Sequence, residues 1–217
     1  GVATGARVPG RFPGRPSNAA LTMEIGCLFG SFDPPHAGHV RIAEHMLKAI
    51  GLDQVWLVVT PQNPFKQDRK LSPEQHRLAM TRIAVQGRPG LVASGFELDL
   101  PKPNYTSDTL AFMRQRWPQH RFSLIIGSDN LAGLHEWKDP RSILDNHRVL
   151  VYPRPGLEEH LAKADLMFHP SVTVVRDAPL MDTSSTGIRV RLRNWKPVDG
   201  LVDPAVLQYL RQNGLYA

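Results

Sequence analysis

From Met23 onward the chain alternates short apolar runs with amphipathic stretches, the pattern of a parallel sheet covered by helices. Strands are expected at Glu24–Phe29, Gln54–Thr60, Leu91–Ala93, Phe122–Ile126, His147–Tyr152 and Val172–Val175, most of them rich in Val, Ile, Leu or Phe. Between the first two, Val40, Ala43, Met46, Leu47 and Ile50 recur at helical spacing, which predicts a helix from about His36 to Ile50 with Gly51 as its stop. Ser72-Pro73-Glu74-Gln75 opens another, with Ser72 as cap, Pro73 in the first turn and Gln75 returning the capping-box bond; Leu78, Ala79, Ile83 and Ala84 continue its apolar face. The fold class is therefore α/β, a doubly wound parallel sheet with helices on both faces. No internal repeat or linker divides residues 24–217, so one domain, 23–217, is expected.

Composition narrows the class. At 217 residues, 41% hydrophobic and 21% charged, the chain has the make-up of a globular protein with a sizeable core. No apolar run approaches the ~20 residues needed to cross a bilayer. A single cysteine, Cys27, cannot form an internal disulfide and sits in an apolar run as core filler, which fits a reducing, cytoplasmic setting. The net charge of +6 is half supplied by Arg7, Arg11 and Arg15, within a Gly1–Thr22 segment that holds no acid. That segment has neither hydrophobic periodicity nor the apolar core of a secretory signal, and is expected to be a flexible N-terminal extension, with an organellar transit peptide as the alternative. The charge that remains suits small anionic ligands; nucleic acid and membrane are not expected partners, and monomer and homo-oligomer both stay open.

The candidate chemistry begins where the first strand ends, at Gly30-Ser31-Phe32-Asp33-Pro34-Pro35-His36-Ala37-Gly38-His39. In a doubly wound sheet, ligands bind beyond the carboxyl ends of the strands, where helix N-termini offer N–H groups to anions. His36 and His39, one helical turn apart, can reach the same phosphate. Gly38 leaves room for close approach, and Gly30 permits a turn that a side chain would obstruct. Far along the chain, Thr183-Ser184-Ser185-Thr186-Gly187-Ile188-Arg189 places hydroxyls and a guanidinium at a helix start, with Ser184 or Ser185 as cap, a set suited to phosphate oxygens. Ile126-Gly127-Ser128-Asp129 ends another strand with a carboxylate able to accept from ribose hydroxyls. No Cys/His cluster has zinc spacing.

These stretches resemble the HxGH nucleotidyltransferases, a Rossmann-like superfamily related to class I aminoacyl-tRNA synthetases. The first matches the signature G-T/S-F-D/N-P-x-H-x-G-H, with Phe29 where a second glycine is commonest. The second resembles I-S-S-T-x-I-R, with Thr183 in place of isoleucine, and Ile126–Asp129 resembles I/M-G-x-D. Pro61-Gln62-Asn63-Pro64-Phe65-Lys66 resembles P-x-x-N-P-x-K, and Tyr105-Thr106-Ser107-Asp108-Thr109-Leu110 resembles the Y-T-x-x-T-L segment of nicotinate mononucleotide adenylyltransferases. Trp137 and Arg154-Pro155-Gly156 match that family's tryptophan and R-P-G turn.

The resemblance implies ATP and nicotinate mononucleotide as substrates, nicotinate adenine dinucleotide and pyrophosphate as products, and Mg²⁺ carried on ATP. It implies that His36, His39, Lys66 and Arg189 act on the reacting phosphates. Gly30, Ser31, Phe32, Gly38, His39, Gly127, Asp129, Arg154, Ser184, Ser185, Thr186 and Arg189 would bind ATP, and Asn63, Lys66, Tyr105, Thr106 and Trp137 the mononucleotide. Thr106 is expected to cap a helix whose free amides could receive the nicotinate carboxylate, while Trp137 would stack on the pyridine. The rivals are a nicotinamide mononucleotide or phosphopantetheine adenylyltransferase, a cytidylyltransferase, a non-catalytic nucleotide sensor, and an RNA-binding module. Against the last, no aromatic-basic stripe suited to single strands is present.

Overall fold

The computed structural model describes residues 21–61 and 70–217. Six parallel strands form one sheet: β1 (Glu24–Gly30), β2 (Gln54–Val59), β3 (Leu91–Ser94), β4 (Arg121–Gly127), β5 (Val149–Tyr152) and β6 (Val172–Val174), in the order β3-β2-β1-β4-β5-β6. The chain builds outward from β1 to β3, crosses back, and builds outward again from β4. The direction of winding therefore reverses between β1 and β4, and their carboxyl ends, Gly30 and Gly127, flank the switch point where such sheets bind ligands. The helices are α1 (Ala37–Ile50), α2 (Glu74–Val85), α3 (Thr106–Arg116), α4 (Ser128–Gly133), α5 (Pro140–Asn146), α6 (Leu157–Ala162), α7 (Ser185–Arg193) and α8 (Pro204–Gln212). None is long and apolar enough to cross a membrane.

Side chains alternate across the sheet with the period of two that a strand imposes. Leu28, Val55, Leu57, Val59 and Ile125 face a core completed by α1, α2, α7 and α8. Ile25, Cys27, Val58, Leu124 and Ile126 face the opposite core, filled by Leu110 and Met113 of α3, Leu131 of α4, and Ile143 and Leu144 of α5. Cys27 is buried there with its Sγ 3.9 Å from Met113 Sδ, and burial pushes its thiol pKa well up, so it behaves as core.

Every expected strand is present with small shifts at the ends. The largest is at β5, which begins at Val149: His147 instead closes α5 and bonds the Phe122 carbonyl through Nδ1 (2.7 Å). The first helix starts one residue late, with His36 as its N-cap, and stops as expected at Gly51, whose φ of 73° is the left-handed conformation that favours glycine.

The second helix differs more. Ser72 is not its cap: Pro73 holds that position, and no side chain closes the end. Ser72 is otherwise engaged, its N–H donating to Asp33 Oδ2 (3.3 Å) and its carbonyl accepting from Arg77 Nε (2.9 Å). The buried face is Arg77, Met80, Thr81, Ala84 and Val85, so Leu78 and Ile83 are only partly covered. Arg77 turns the face inward because its guanidinium has acceptors to meet there.

Candidate active site

At the carboxyl edge of the sheet lies a cleft with two lobes. The larger, about 400 Å³, is lined by Tyr105, Thr106 and Ser107 from the start of α3, by Trp137 and Lys138, and by Glu97 and Asn104. The smaller, about 250 Å³, is lined by Phe32, His36, Gly38 and His39 on one side and Asp129, Arg154, Ser184, Ser185 and Thr186 on the other. The lobes share Leu28, Gly30, Ser31, Asn130 and Tyr152 as a common floor.

The smaller lobe is organised by the turn after β1. Phe32 has a positive φ of 47°, unusual for a residue with a side chain, and its ring folds back over Gly30. A Cβ at Gly30 would lie 3.0 Å from that ring. Gly30 thus leaves room for a turn that a side chain would obstruct, as expected from sequence. Next come the two imidazoles, stacked with ring centroids 3.7 Å apart, with Phe32 edge-on to His39 at 4.8 Å.

Backbone bonds set the histidine tautomers. His36 Nδ1 accepts from the Gly38 N–H (3.0 Å) and His39 Nδ1 from the His36 N–H (3.1 Å), a reciprocal capping box made by two histidines. With both Nδ1 atoms accepting, a neutral ring carries its proton on Nε2. Burial, with Arg154 nearby, lowers the pKa of His36 to about 4; burial, His36 and Arg154 together hold His39 well below its ordinary value. At neutral pH both rings are therefore uncharged Nε2–H donors.

The opposite wall meets this turn through direct bonds. Ser184 caps α7, accepting from the Gly187 N–H (3.0 Å). Ser185 Oγ donates to the Pro34 carbonyl (2.8 Å), Arg189 Nη1 donates to the Asp33 carbonyl (2.7 Å), and Arg189 Nη2 donates to Thr186 Oγ1 (3.0 Å). The two distant motifs of the sequence are thus one unit, with the hydroxyls of Ser184, Ser185 and Thr186 on the lobe surface. Arg189 is buried behind them and braces the turn after β1. Gly127 also stands behind the lining: a Cβ there would lie 2.6 Å from Asp129 Oδ1 and 2.8 Å from Arg154 Cγ, so its absence admits both side chains to the switch point.

In the larger lobe the sequence expectation needs one correction. Thr106 is the first residue of α3, Tyr105 is its N-cap, and no side chain bonds the first-turn amides. The helix start is thus open, as free amides for an anion require, but for a different reason than capping by Thr106. Lys138 Nζ lies 4.7 Å over the Tyr105 ring and bonds Asp108 (2.7 Å), joining the Trp137 wall to α3. Asn63 and Lys66 lie outside the described residues.

Sequence reasoning missed the supports. Asp33, 1% exposed, receives the Tyr216 hydroxyl on Oδ1 and the Ser72 N–H on Oδ2. Arg77, also 1% exposed, donates to the carbonyls of Ser72 (2.9 Å), Ser31 (2.8 Å), Thr60 (2.6 Å) and Pro61 (3.0 Å), and so fastens the ends of β1 and β2 together. Asp33 stood in a quoted motif; Arg77 carried no local signal.

Comparisons with known proteins show the family and the fold. Residues 27–191 match the model of the cytidylyltransferase-like family. The chain is 41% identical over 89% of its length to a probable nicotinate-nucleotide adenylyltransferase of Flavobacterium johnsoniae, covering 99% of that protein. It is 40% identical to a counterpart from Christiangramia forsetii, over 90% of this chain and 100% of the other. Among solved structures, Plasmodium falciparum nicotinic acid mononucleotide adenylyltransferase complexed with NaAD aligns over 89% of this chain and 97% of its own, with a TM-score of 0.73 at 18% identity, a likeness of fold. Motif order, switch-point cleft and relatives converge: this chain belongs to the cytidylyltransferase-like nucleotidyltransferases, among the nicotinate-nucleotide adenylyltransferases.

Proposed function

We infer that the protein transfers the adenylyl group of ATP to the phosphate of nicotinate mononucleotide, giving nicotinate adenine dinucleotide and pyrophosphate. The observation that carries this reading is the two-lobed cleft over one switch point: a phosphate-type lobe of imidazole and hydroxyl donors opens into a lobe walled by an aromatic ring and an uncapped helix start. A dinucleotide has that division of chemistry, and the atoms that react belong where the lobes meet, at Gly30 and Ser31.

The nucleophile is a phosphate oxygen of the mononucleotide, already anionic near neutral pH, so no general base is required. It attacks the α-phosphorus in line; the P–O bond to the β-phosphate breaks and pyrophosphate leaves with that electron pair. Charge is the obstacle, since two like charges 4 Å apart repel by ~4 kcal/mol at an effective dielectric of 20. His36 and His39 meet it with Nε2–H donors for the α-phosphate, the hydroxyls of Ser184 and Thr186 receive the departing pyrophosphate, and Ser185 holds the turn through the Pro34 carbonyl. Arg189 supports this group from behind, Asp129 accepts from ribose and Arg154 flanks the adenosine; Lys66, outside the described residues, is assigned to the reacting phosphates by the family resemblance alone.

Mg²⁺ fits as a passenger on the triphosphate. Among the described residues no group of three His, Cys, Asp or Glu could cage it, and Asp129 is the carboxylate lining the smaller lobe. When bound, the ion supplies further neutralisation of phosphate charge. In the larger lobe, Trp137 stacks on the pyridine, and the first-turn amides at Tyr105 and Thr106 attract the nicotinate carboxylate.

The test is ATP with nicotinate or nicotinamide mononucleotide, following pyrophosphate release. The acid is expected to be the better substrate by kcat/KM, and His39→Ala should lower kcat by about 10²-fold, the scale of losing a transition-state donor. Equal use of both mononucleotides would remove the acid preference, and unchanged turnover in His39→Ala would remove that imidazole from the reaction.

A further inference from the structure

One wall of the larger lobe is polar, buried and unsatisfied. Glu97, on the short helical turn Phe96–Asp99, is 2% exposed, and Asn104 and Ser107 beside it are buried too; all three line the lobe. Among the described residues, Glu97 Oε2, Asn104 Oδ1 and Ser107 Oγ have no hydrogen-bond partner. The orientation of Asn104 is fixed, because its amide nitrogen donates to the carbonyls of Glu97 (3.3 Å) and Pro101 (3.2 Å), leaving the oxygen as the orphan. Buried polar atoms are rarely left unpaired, and a wall of three at the edge of a cleft is suited to a polar group on a ligand.

Which polar group it suits depends on one proton. An ionised Glu97, with the Asn104 oxygen, makes the wall mainly accepting, Ser107 being its one hydroxyl, which fits a carboxamide NH₂ and disfavours a carboxylate. A protonated Glu97 presents an O–H donor, which fits a carboxylate. Among the described residues only the Thr109 hydroxyl favours the ionised form, and burial outweighs it. No cation pairs with Glu97 among the described residues, β2, which packs on its turn, carries no titratable side chain, and burial raises the carboxyl pKa to about 8, with the Thr109 hydroxyl pulling the other way. The remaining charged or titratable groups on the surrounding described elements are Asp99 on its own turn, Asp108, Arg114 and Arg116 on α3, Glu74, His76, Arg77 and Arg82 on α2, Lys102, which Glu74 holds, and Tyr105, Glu136 and Lys138 across the lobe. Lys138 is held by Asp108.

We propose that Glu97 selects between acid and amide forms of the pyridine mononucleotide: carrying its proton it donates to the ring carboxylate, and without it the side chain repels the acid and accepts from the amide. The proposal rests on the reaction inferred above and adds to the α3 amides a pH-dependent discriminator.

The test is the ratio of kcat/KM for nicotinate over nicotinamide mononucleotide, measured from pH 6.5 to 9.5 with ATP and Mg²⁺. Both substrates share the phosphate and the ATP, so those titrations cancel in the ratio, and the ring carboxylate stays ionised throughout. The ratio should fall about ten-fold or more as pH rises, as expected for a group that titrates near the middle of the range. Glu97→Gln, which keeps a donor but cannot titrate, should hold the ratio constant within about two-fold.

A flat ratio in the unaltered protein, or a decline that persists undiminished in E97Q, overturns the proposal. Should E97Q not fold, as circular dichroism would report, Glu97→Asp decides: a shifted midpoint supports the assignment and an unshifted one overturns it. Turnover of neither mononucleotide at any pH overturns the reaction itself, whereas turnover with a flat ratio overturns only the role of Glu97.

Discussion

Replacing Gly38 with alanine should separate catalysis from stability. The added Cβ would lie 2.8 Å from His36 Cε1 and 2.9 Å from His36 Nδ1, whereas ordinary contact begins near 3.4 Å, so the imidazole must retreat by about 0.6 Å. It has little space to do so, because it is buried and stacked at 3.7 Å on His39. Retreat also loosens the Gly38 N–H to His36 Nδ1 bond that caps α1, a loss of about 1 kcal/mol. Alanine at a helical position returns about 1 kcal/mol relative to glycine, so the two effects nearly cancel. Catalysis has no such compensation: a donor displaced by a large fraction of 1 Å costs on the order of 10²-fold in rate. The expected result is a Tm within about 4 °C of the unaltered protein with kcat lowered about 10²-fold, read by thermal melting and pyrophosphate release. Full turnover in this variant would refute the claim that the position of His36 matters, and a collapsed Tm would refute the claimed cancellation.

Arg77→Met retains side-chain length but leaves four carbonyls without their donor; it should cost about 3 kcal/mol or more, seen as a lower urea midpoint, and a loss under about 1 kcal/mol would show those bonds to be replaceable by water. Acid should destabilise the fold through His36. Its pKa is about 4 in the folded chain against 6.5 ordinarily, so the unfolded chain binds the proton first, and stability falls by about 3 kcal/mol as pH drops from 6.5 to 4. Urea midpoints across that range check the sign, and His36→Gln should flatten the profile.

Much of this molecule was legible in its sequence. The strands announce themselves because a parallel strand covered on both faces is an uninterrupted apolar run, as Gln54–Val59 and Arg121–Gly127 nearly are. The phosphate turn and the Thr183–Arg189 stretch were legible as chemistry because their residue types recur in a known order. What stayed hidden are the residues whose burial depends on distant partners. Periodicity treats an arginine as an outward residue, yet Arg77 is drawn inside by carbonyls from three other segments. By the same rule Glu97 looks like surface, and only the folded cleft puts it in a wall. Ser72 and Thr106 mislead for a related reason: a serine or threonine before a helix suggests a cap, but the backbone of Ser72 is claimed by Asp33 and Arg77, and α3 begins one residue early, with Tyr105 as its N-cap.

The bond from Tyr216 to Asp33 spans 183 positions of chain, reaching back to the loop that follows the first strand. During synthesis that loop emerges early and waits: its carboxylate gains this partner only after Tyr216 itself has left the ribosome. A product truncated just before that tyrosine would therefore keep every histidine and hydroxyl of the cleft and lose one of the two bonds that hold the Asp33 carboxylate.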